Sequence, residues 1–340
     1  MSPAPSPRIL VIRRDNIGDL VCTTPLLRAL RERFPDAWLG ALVNSYNAPV
    51  LAGNPDLDEV AVYTKAKHRG VGETLPGVLW ARARMLLRLR AARLDDIIIA
   101  TPSAQPRTVR LARWLGPRRV IGFGDLSGLD LALPPAGTPM TEAEDVFRIA
   151  AAYGIAGPPP PCRVVAPADA SGPGRLTVAI HVSARKPSQR WPAERFVALM
   201  RELRSEHDAD FVLLWAPGAA DNPLHPGDDE KAAQIVAALG PGFPVRAAPT
   251  STLAELIRAL AGCRFMVCGD GGAMHLACGL GLPIVCLFGR SDATRWRPWG
   301  VPYRLLQMPS ENVADIPVEA VARAFRSLAG ETAAAGGAAR

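Results

Sequence analysis

The sequence predicts an α/β protein of two successive domains, each a parallel sheet wrapped by helices, and three observations carry that reading. A length of 340 residues is too great for one ordinary core and suits two domains of roughly 150 residues each. Short apolar runs alternate with longer amphipathic segments, and the alternation restarts near the middle of the chain. Between the halves, Pro158–Pro161 cannot continue a helix, and 167–174 is again rich in Pro, Gly and small residues. The expected division is therefore a first domain over 1–160, a linker over 161–175, a second domain over 176–330 and a disordered Ala/Gly-rich tail over 331–340.

In the first half, strands are expected at Arg8–Ile12, Trp38–Val43, Glu59–Tyr63, Asp96–Ala100 and Arg119–Gly122. Helices are expected at Asp19–Arg33, Leu75–Arg93, Gln105–Leu115 and Glu142–Tyr153. The second half gives strands at Thr177–His181, Phe211–Trp215, Arg264–Cys268 and Pro283–Phe288. Its helices are expected at Pro192–Glu206, Asp229–Leu239, Leu253–Ala261, Gly272–Gly281 and Pro317–Leu328. Both halves are Rossmann-like.

Composition narrows the function classes. Hydrophobic residues at 49% and charged residues at 21% exclude a disordered or fibrous chain. The short apolar run Ile9–Ile12 with Arg13 and Arg14 directly after it is no signal peptide. The longest nearly apolar stretch, Gly279–Gly289, falls far short of the roughly 20 residues of a membrane span, so a cytoplasmic protein is expected. Six cysteines without a C-x-x-C pair are expected to be buried reduced thiols, with no structural metal. The net charge of +7 is concentrated between residues 63 and 93, where Lys65, Lys67, Arg69, Arg82, Arg84, Arg88, Arg90 and Arg93 are relieved only by Glu73. Such a run attracts phosphates or anionic lipid, or is a solvated helix face. No nucleic-acid motif accompanies it, and nucleic acid is not an expected partner.

Three strand ends carry chemistry. The first strand leads into Arg13-Arg14-Asp15-Asn16-Ile17-Gly18-Asp19, and in an open parallel sheet ligands bind beyond the carboxyl ends of strands. Gly18 permits close backbone approach, and Asp19 is either a helix cap or a base facing a substrate. No G-x-G-x-x-G follows this strand, which demotes a nicotinamide oxidoreductase. In Asp270-Gly271-Gly272-Ala273-Met274-His275, the glycines suit a diphosphate at a helix N-terminus and Asp270 suits sugar hydroxyls, although a structural glycine turn fits too. A lone helical histidine such as His275 is more often a hydrogen-bonded structural residue than a catalyst. His181-Val182-Ser183-Ala184-Arg185-Lys186-Pro187-Ser188-Gln189-Arg190-Trp191-Pro192 places three cations and small polar residues at another strand end. The matches Asp56-Leu57-Asp58 and Asp208-Ala209-Asp210 are read as chance surface pairs.

Taken in order, Arg13-x-Asp15-x-Ile17-Gly18-Asp19 with Pro25, Arg190-Trp191-Pro192-x-Glu194-x-Phe196, Asp270-Gly271-Gly272-Ala273-Met274-His275-Leu276-Ala277 and Gly281–Gly289 with Ser291-Asp292 resemble the ADP-heptose:lipopolysaccharide heptosyltransferase family, glycosyltransferase family 9. The resemblance implies a GT-B fold, two Rossmann-like domains facing across a cleft, and inverting transfer of heptose from ADP-heptose to a lipopolysaccharide core acceptor without cofactor or essential metal. It implies Asp19 as the base. Ser183, Lys186, Gln189, Arg190, Glu230, Asp270, Gly271, Gly272 and His275 would serve the donor, and Arg13, Gly18, Lys65, Lys67 and Arg69 a phosphorylated, lipid-linked acceptor. Peripheral contact with an anionic membrane, at the cytoplasmic face of the inner membrane, follows from such an acceptor. Two positions depart from the family: Gln189 stands where it has Lys, and Gly271 where it has Thr. The competing readings are a transferase of similar fold with another nucleotide sugar or a non-lipid acceptor, and a catalytically silent nucleotide-sugar binding protein.

Overall fold

The most apolar short runs of the sequence become the inner strands of two parallel sheets in the computed structural model, which describes residues 6–64, 74–168, 170, 176–222 and 227–338. The chain divides into two compact units, Met1–Val164 and Val165–Arg340.

The first unit runs β1 (Arg8–Ile12), α1 (Ile17–Val21), α2 (Thr24–Arg33), β2 (Trp38–Asn44), β3 (Glu59–Tyr63), α3 (Leu75–Ala91), β4 (Asp96–Ile99), α4 (Pro106–Leu115), β5 (Arg119–Phe123), β6 (Leu131–Leu133) and α5 (Glu142–Phe147). Its six parallel strands lie in the order β3-β2-β1-β4-β5-β6. Ile9, Leu10, Val11 and Ile12 are all buried because helices cover both faces of the sheet, which is why β1 reads as an unbroken apolar run. Leu10, Ile12, Ile97 and Ile99 form one core cluster with Leu89 of α3 and Val109, Ala112 and Leu115 of α4.

The second unit runs β7 (Thr177–His181), α6 (Ala193–His207), β8 (Asp210–Trp215), α7 (Asp229–Leu239), β9 (Val245–Pro249), α8 (Leu253–Ala261), β10 (Phe265–Gly269), α9 (Gly272–Gly279), β11 (Ile284–Phe288), α10 (Ala293–Trp296), β12 (Tyr303–Gln307) and α11 (Val318–Ala338). The sheet order β12-β11-β10-β7-β8-β9 repeats that of the first unit, with every pairing parallel. Trp191 anchors the entry to α6: its ring meets Phe196 edge-on at 4.8 Å, and its indole N–H donates to the Ile316 carbonyl at 3.0 Å.

In both sheets the winding direction reverses between the first and fourth strands. Chain segments leaving β1 and β4, and likewise β7 and β10, therefore diverge to opposite faces and open a crevice at the carboxyl ends. The first place holds Arg13 to Asp19, and the second His181 to Arg190 with Asp270 to His275.

Several element boundaries differ from expectation. The single helix expected at Asp19–Arg33 is two, because Pro25 lacks the N–H that a continuous helix requires and instead occupies the first turn of α2. The helix expected at Glu142–Tyr153 tightens to a 3-10 turn over Arg148–Tyr153 before Gly154 ends it. Strands β6, β9 and β12 are absent from the sequence reading: all three lie at sheet edges, β6 is only three residues long, and an arginine interrupts the apolar residues of β9 and β12. Helix α11 extends to Ala338, well past Leu328 and into the tail expected to be disordered, because alanine is the best helix former. All six cysteines are buried as free thiols.

His181 closes β7, where burial and the charge of Lys231 push its imidazole down to about 4 from 6.5. As pH falls from 6.5 toward 4, the unfolded chain takes up a proton that the folded chain refuses, so stability declines by up to about 3 kcal/mol. Urea unfolding measured across that window should show a shallower decline in His181→Gln than in the unaltered chain; parallel pH profiles would contradict the depressed imidazole pKa.

Candidate functional site

At the carboxyl end of β1, Arg13 continues the strand, its amide donating to the Leu42 carbonyl at 3.1 Å. Its side chain turns inward and is 1% exposed. The guanidinium donates through one Nη to the Ala100 carbonyl, at the end of β4. Through the other it reaches Asp19 Oδ1 and Glu142 Oε1, each at 2.6 Å, while Nε lies 3.0 Å from Asp15 Oδ2. Only a planar fork of several donors can hold these carboxylates together. Burial alone would lower the pKa of Arg13, but the charges of Glu142, Asp19 and Asp15 outweigh it and raise it.

Asn16 is the residue preceding α1, so Asp19 is the third residue of the helix and not its cap. Its Oδ2 accepts the Asn16 N–H at 3.2 Å while Oδ1 meets Arg13. Asp19 thus reaches back to the helix start and is also held by a buried cation. A carboxylate offers about four lone-pair sites, and these contacts occupy two. At 8% exposure the group is shielded.

The loop after β1 is tied from the end of β2. The Asn44 amide donates to the Arg14 carbonyl, and Tyr46 and Asn47 donate to the Asp15 carbonyl at 2.6 and 3.2 Å. Burial and the charges of Asp19 and Asp15 push the Tyr46 phenol up to about 12, so it remains a neutral donor. Thr101, just past β4, donates to Asp15 Oδ2 at 2.9 Å. Beside this loop lies a cavity of about 200 Å³ lined by Arg14, Asp15, Tyr63, Thr101, Gln105 and Thr108. The Tyr63 ring carries two guanidinium groups, Arg14 at 4.9 Å and Arg82 at 4.2 Å.

Two residues expected on the acceptor side are buried. The Arg13 guanidinium is buried among three carboxylates and a carbonyl. Gly18 is buried inside α1. Lys65, Lys67 and Arg69 lie outside the described residues. Sequence reading missed Glu142, 1% exposed and 129 positions from Arg13, because long-range ion pairs leave no periodic signal. It also missed the pairing of Arg14 with Tyr63.

In the second unit, Asp270 follows β10 and Gly271 adopts φ 156 and ψ −175, a conformation that side-chain-bearing residues rarely take. A Thr at this position would be strained, which accounts for the glycine. Helix α9 then starts at Gly272, and its first amides lack helical partners and carry a partial positive charge. Gln189 donates through Nε2 to Asp270 Oδ2 at 3.1 Å and to Ser291 Oγ at 2.9 Å, while Ser291 donates to Asp270 Oδ2 at 2.8 Å. The loop carrying Gln189 crosses the sheet edge so closely that a Cβ on Gly289 would lie 2.2 Å from the Ser188 carbonyl oxygen.

The remaining donor-side residues are dispersed around this triad. Lys186 is exposed at the start of the 3-10 turn Pro187–Gln189, and half-buried Arg190 donates to the Ala184 carbonyl at 3.1 Å. Ser183 Oγ accepts the Ala216 N–H at 2.9 Å, binding β7's exit to that of β8. Glu230 is exposed in the first turn of α7. His275 is buried, edge-on to Trp296 at 6.0 Å. Lys231 is a cation that sequence reading passed over: Nζ donates to the Val182 carbonyl at 3.0 Å, and burial with the charge of Arg190 lowers its pKa to about 8.

The Asp-x-Asp matches serve the fold. Asp56 is buried against Arg163 at 2.9 Å, a correction to its reading as a surface pair; Asp58 accepts the Leu39 N–H at 2.7 Å, and Asp208 ends α6 at φ 50. Among the described residues, no group of three or more His, Cys, Asp or Glu side chains could hold a metal ion.

Two Rossmann-type units, one with a pinned carboxylate and the other with a Gly-opened helix N-terminus beside an Asp, make up a GT-B fold. Residues 163–319 match glycosyltransferase family 9 (heptosyltransferase). The chain is 25% identical to lipopolysaccharide heptosyltransferase 3 of Escherichia coli over 307 residues, 83% of each chain. The glycosyl transferase family 9 structure from Veillonella parvula DSM 2008 superposes with a TM-score of 0.80 at 19% identity, covering 96% of this chain and 97% of the other. The E. coli heptosyltransferase WaaC with ADP gives 0.75 at 18%, covering 94% and 99%.

The Arg13 cluster makes a stability prediction. Glu142→Ala removes a buried partner and leaves the guanidinium under-compensated, at a cost of about 3–5 kcal/mol. Urea unfolding measures it, and a loss below about 1 kcal/mol would show that Arg13 does not depend on Glu142.

Proposed function

We propose that the chain transfers heptose from ADP-heptose to a phosphorylated, lipid-linked lipopolysaccharide core acceptor, with inversion and with Asp19 as general base. The observation that carries this reading is the Asp19 carboxylate, held at the switch point of the first sheet by Arg13 and by the Asn16 amide, with lone pairs to spare for a hydroxyl proton. The acceptor oxygen bonds to the anomeric carbon from the face opposite the phosphate, the carbon–oxygen bond to the diphosphate breaks, and the hydroxyl proton passes to Asp19. ADP departs with the bonding pair.

The second unit suits that leaving group. The first turn of α9 presents backbone amides opened by Gly271 and Gly272, and Arg190 and Lys231 add positive charge near the end of β7. Gln189 replaces charge with a bridging amide, which fixes Asp270 in one orientation for sugar hydroxyls instead of contacting phosphate directly. The cavity at Arg14, Tyr63 and Thr101 is the acceptor side of this proposal, and its cation suits an anionic sugar or phosphate. The relatives named for lipopolysaccharide heptosyl transfer and for ADP support this choice of donor and acceptor.

Asp19→Asn keeps an oxygen for the Asn16 amide and removes the base. The expected loss in transfer rate is about 10²- to 10⁴-fold with the fold intact by circular dichroism. An undiminished rate in the folded variant would reduce Asp19 to a helix-start residue.

A further inference from the structure

Helix α3 is apolar on two opposite sides. Its inner side buries Val78 and Leu89, the latter in the core cluster of the first sheet. On the outer side Pro76, Trp80, Ala83, Leu87 and Ala91 recur at helical spacing and all are exposed, Trp80 by 71% and Leu87 by 58%. A surface helix ordinarily turns polar residues to water along that ridge. Leu75 and Leu79 are exposed beside it.

The flanks are basic. From residue 75 to residue 93 the sequence has five arginines and no acidic residue. Arg84 and Arg88 border one side of the ridge, with Arg88 ion-paired to Glu59; Arg90 borders the other, its guanidinium 5.2 Å above the exposed ring of Trp114 in α4. An apolar ridge with a tryptophan, edged by long cationic side chains, matches the boundary between acyl chains and anionic headgroups, where the indole enters and guanidinium groups remain among phosphates. A protein partner of ordinary composition would not demand this one-signed border.

We propose that α3 docks the first unit on an anionic lipid surface, with Trp80 and Leu87 as the inserted side chains. Position supports it: Arg82 of the same helix stacks on Tyr63, which lines the cavity assigned to the acceptor. The functional meaning of this docking rests on the lipid-linked acceptor proposed above, whereas the docking itself is measurable without any substrate.

The test is sedimentation of the full chain with vesicles of equimolar phosphatidylcholine and phosphatidylglycerol, beside vesicles of phosphatidylcholine alone. The unaltered chain should bind the anionic vesicles preferentially and lose binding as salt rises. Trp80→Ser with Leu87→Ser should weaken binding about tenfold or more, and Trp80→Tyr, which keeps an amphipathic ring, should retain most of it. Both side chains are largely exposed, so thermal unfolding of the double variant should match the unaltered chain, as should transfer to a water-soluble, deacylated acceptor. Undiminished binding by the double variant, or no binding by the unaltered chain, overturns the proposal. So does a solution dimer that the double variant dissociates without any vesicle binding, which would make the ridge an interface between copies. Failure of Asp19→Asn to slow transfer would sink the catalytic reading and leave the vesicle result standing.

Discussion

A single buried guanidinium organises the first unit's functional end. Arg13 enters from β1 and is met by Ala100 from the end of β4, by Asp15 from the following loop, by Asp19 from α1 and by Glu142 from α5. Without the cation, three carboxylates would stand close together in a poorly solvated place, and their mutual repulsion would open it. Without the carboxylates, the cation would lack compensation for burial. The cluster thus makes the position of Asp19 a property of four separate elements, and that rigidity is what a proton acceptor needs.

The second unit solves the complementary problem with neutral groups. Asp270 stands beside amides suited to a diphosphate, and its own charge opposes an anionic ligand. Gln189 and Ser291 take up one of its oxygens without adding charge, which turns the carboxylate into an oriented acceptor for hydroxyls. The close approach that makes this possible depends on Gly289, and the turn into α9 depends on Gly271. The positive charge absent from position 189 is present nearby in Arg190 and in Lys231.

The inner strands and most helices were legible because burial on both faces writes continuous apolar runs, as in Ile9–Ile12 and Ile284–Phe288. Strands β6, β9 and β12 were not, since edge or half-exposed strands answer to neighbours and leave composition almost free. Asp19, Asp270 and Gly271 were visible because strand-to-helix turns concentrate them in a few consecutive positions. Glu142 and Lys231 were invisible for the opposite reason: each joins its site through the tertiary fold, across 129 positions in the case of Glu142. Arg13 shows the same limit from the other side. Its place in a motif was plain, yet whether it turned toward a ligand or inward depended on Glu142.

The central claim is that Arg13 positions Asp19 and does not bind the acceptor. Steady-state kinetics of Arg13→Lys test it most directly, because a lysine keeps the charge but cannot hold Asp19 and Glu142 with one planar fork. The account predicts kcat reduced roughly tenfold or more with the acceptor KM unchanged. A raised acceptor KM with kcat preserved would contradict it, and would return Arg13 to the role of an acceptor ligand.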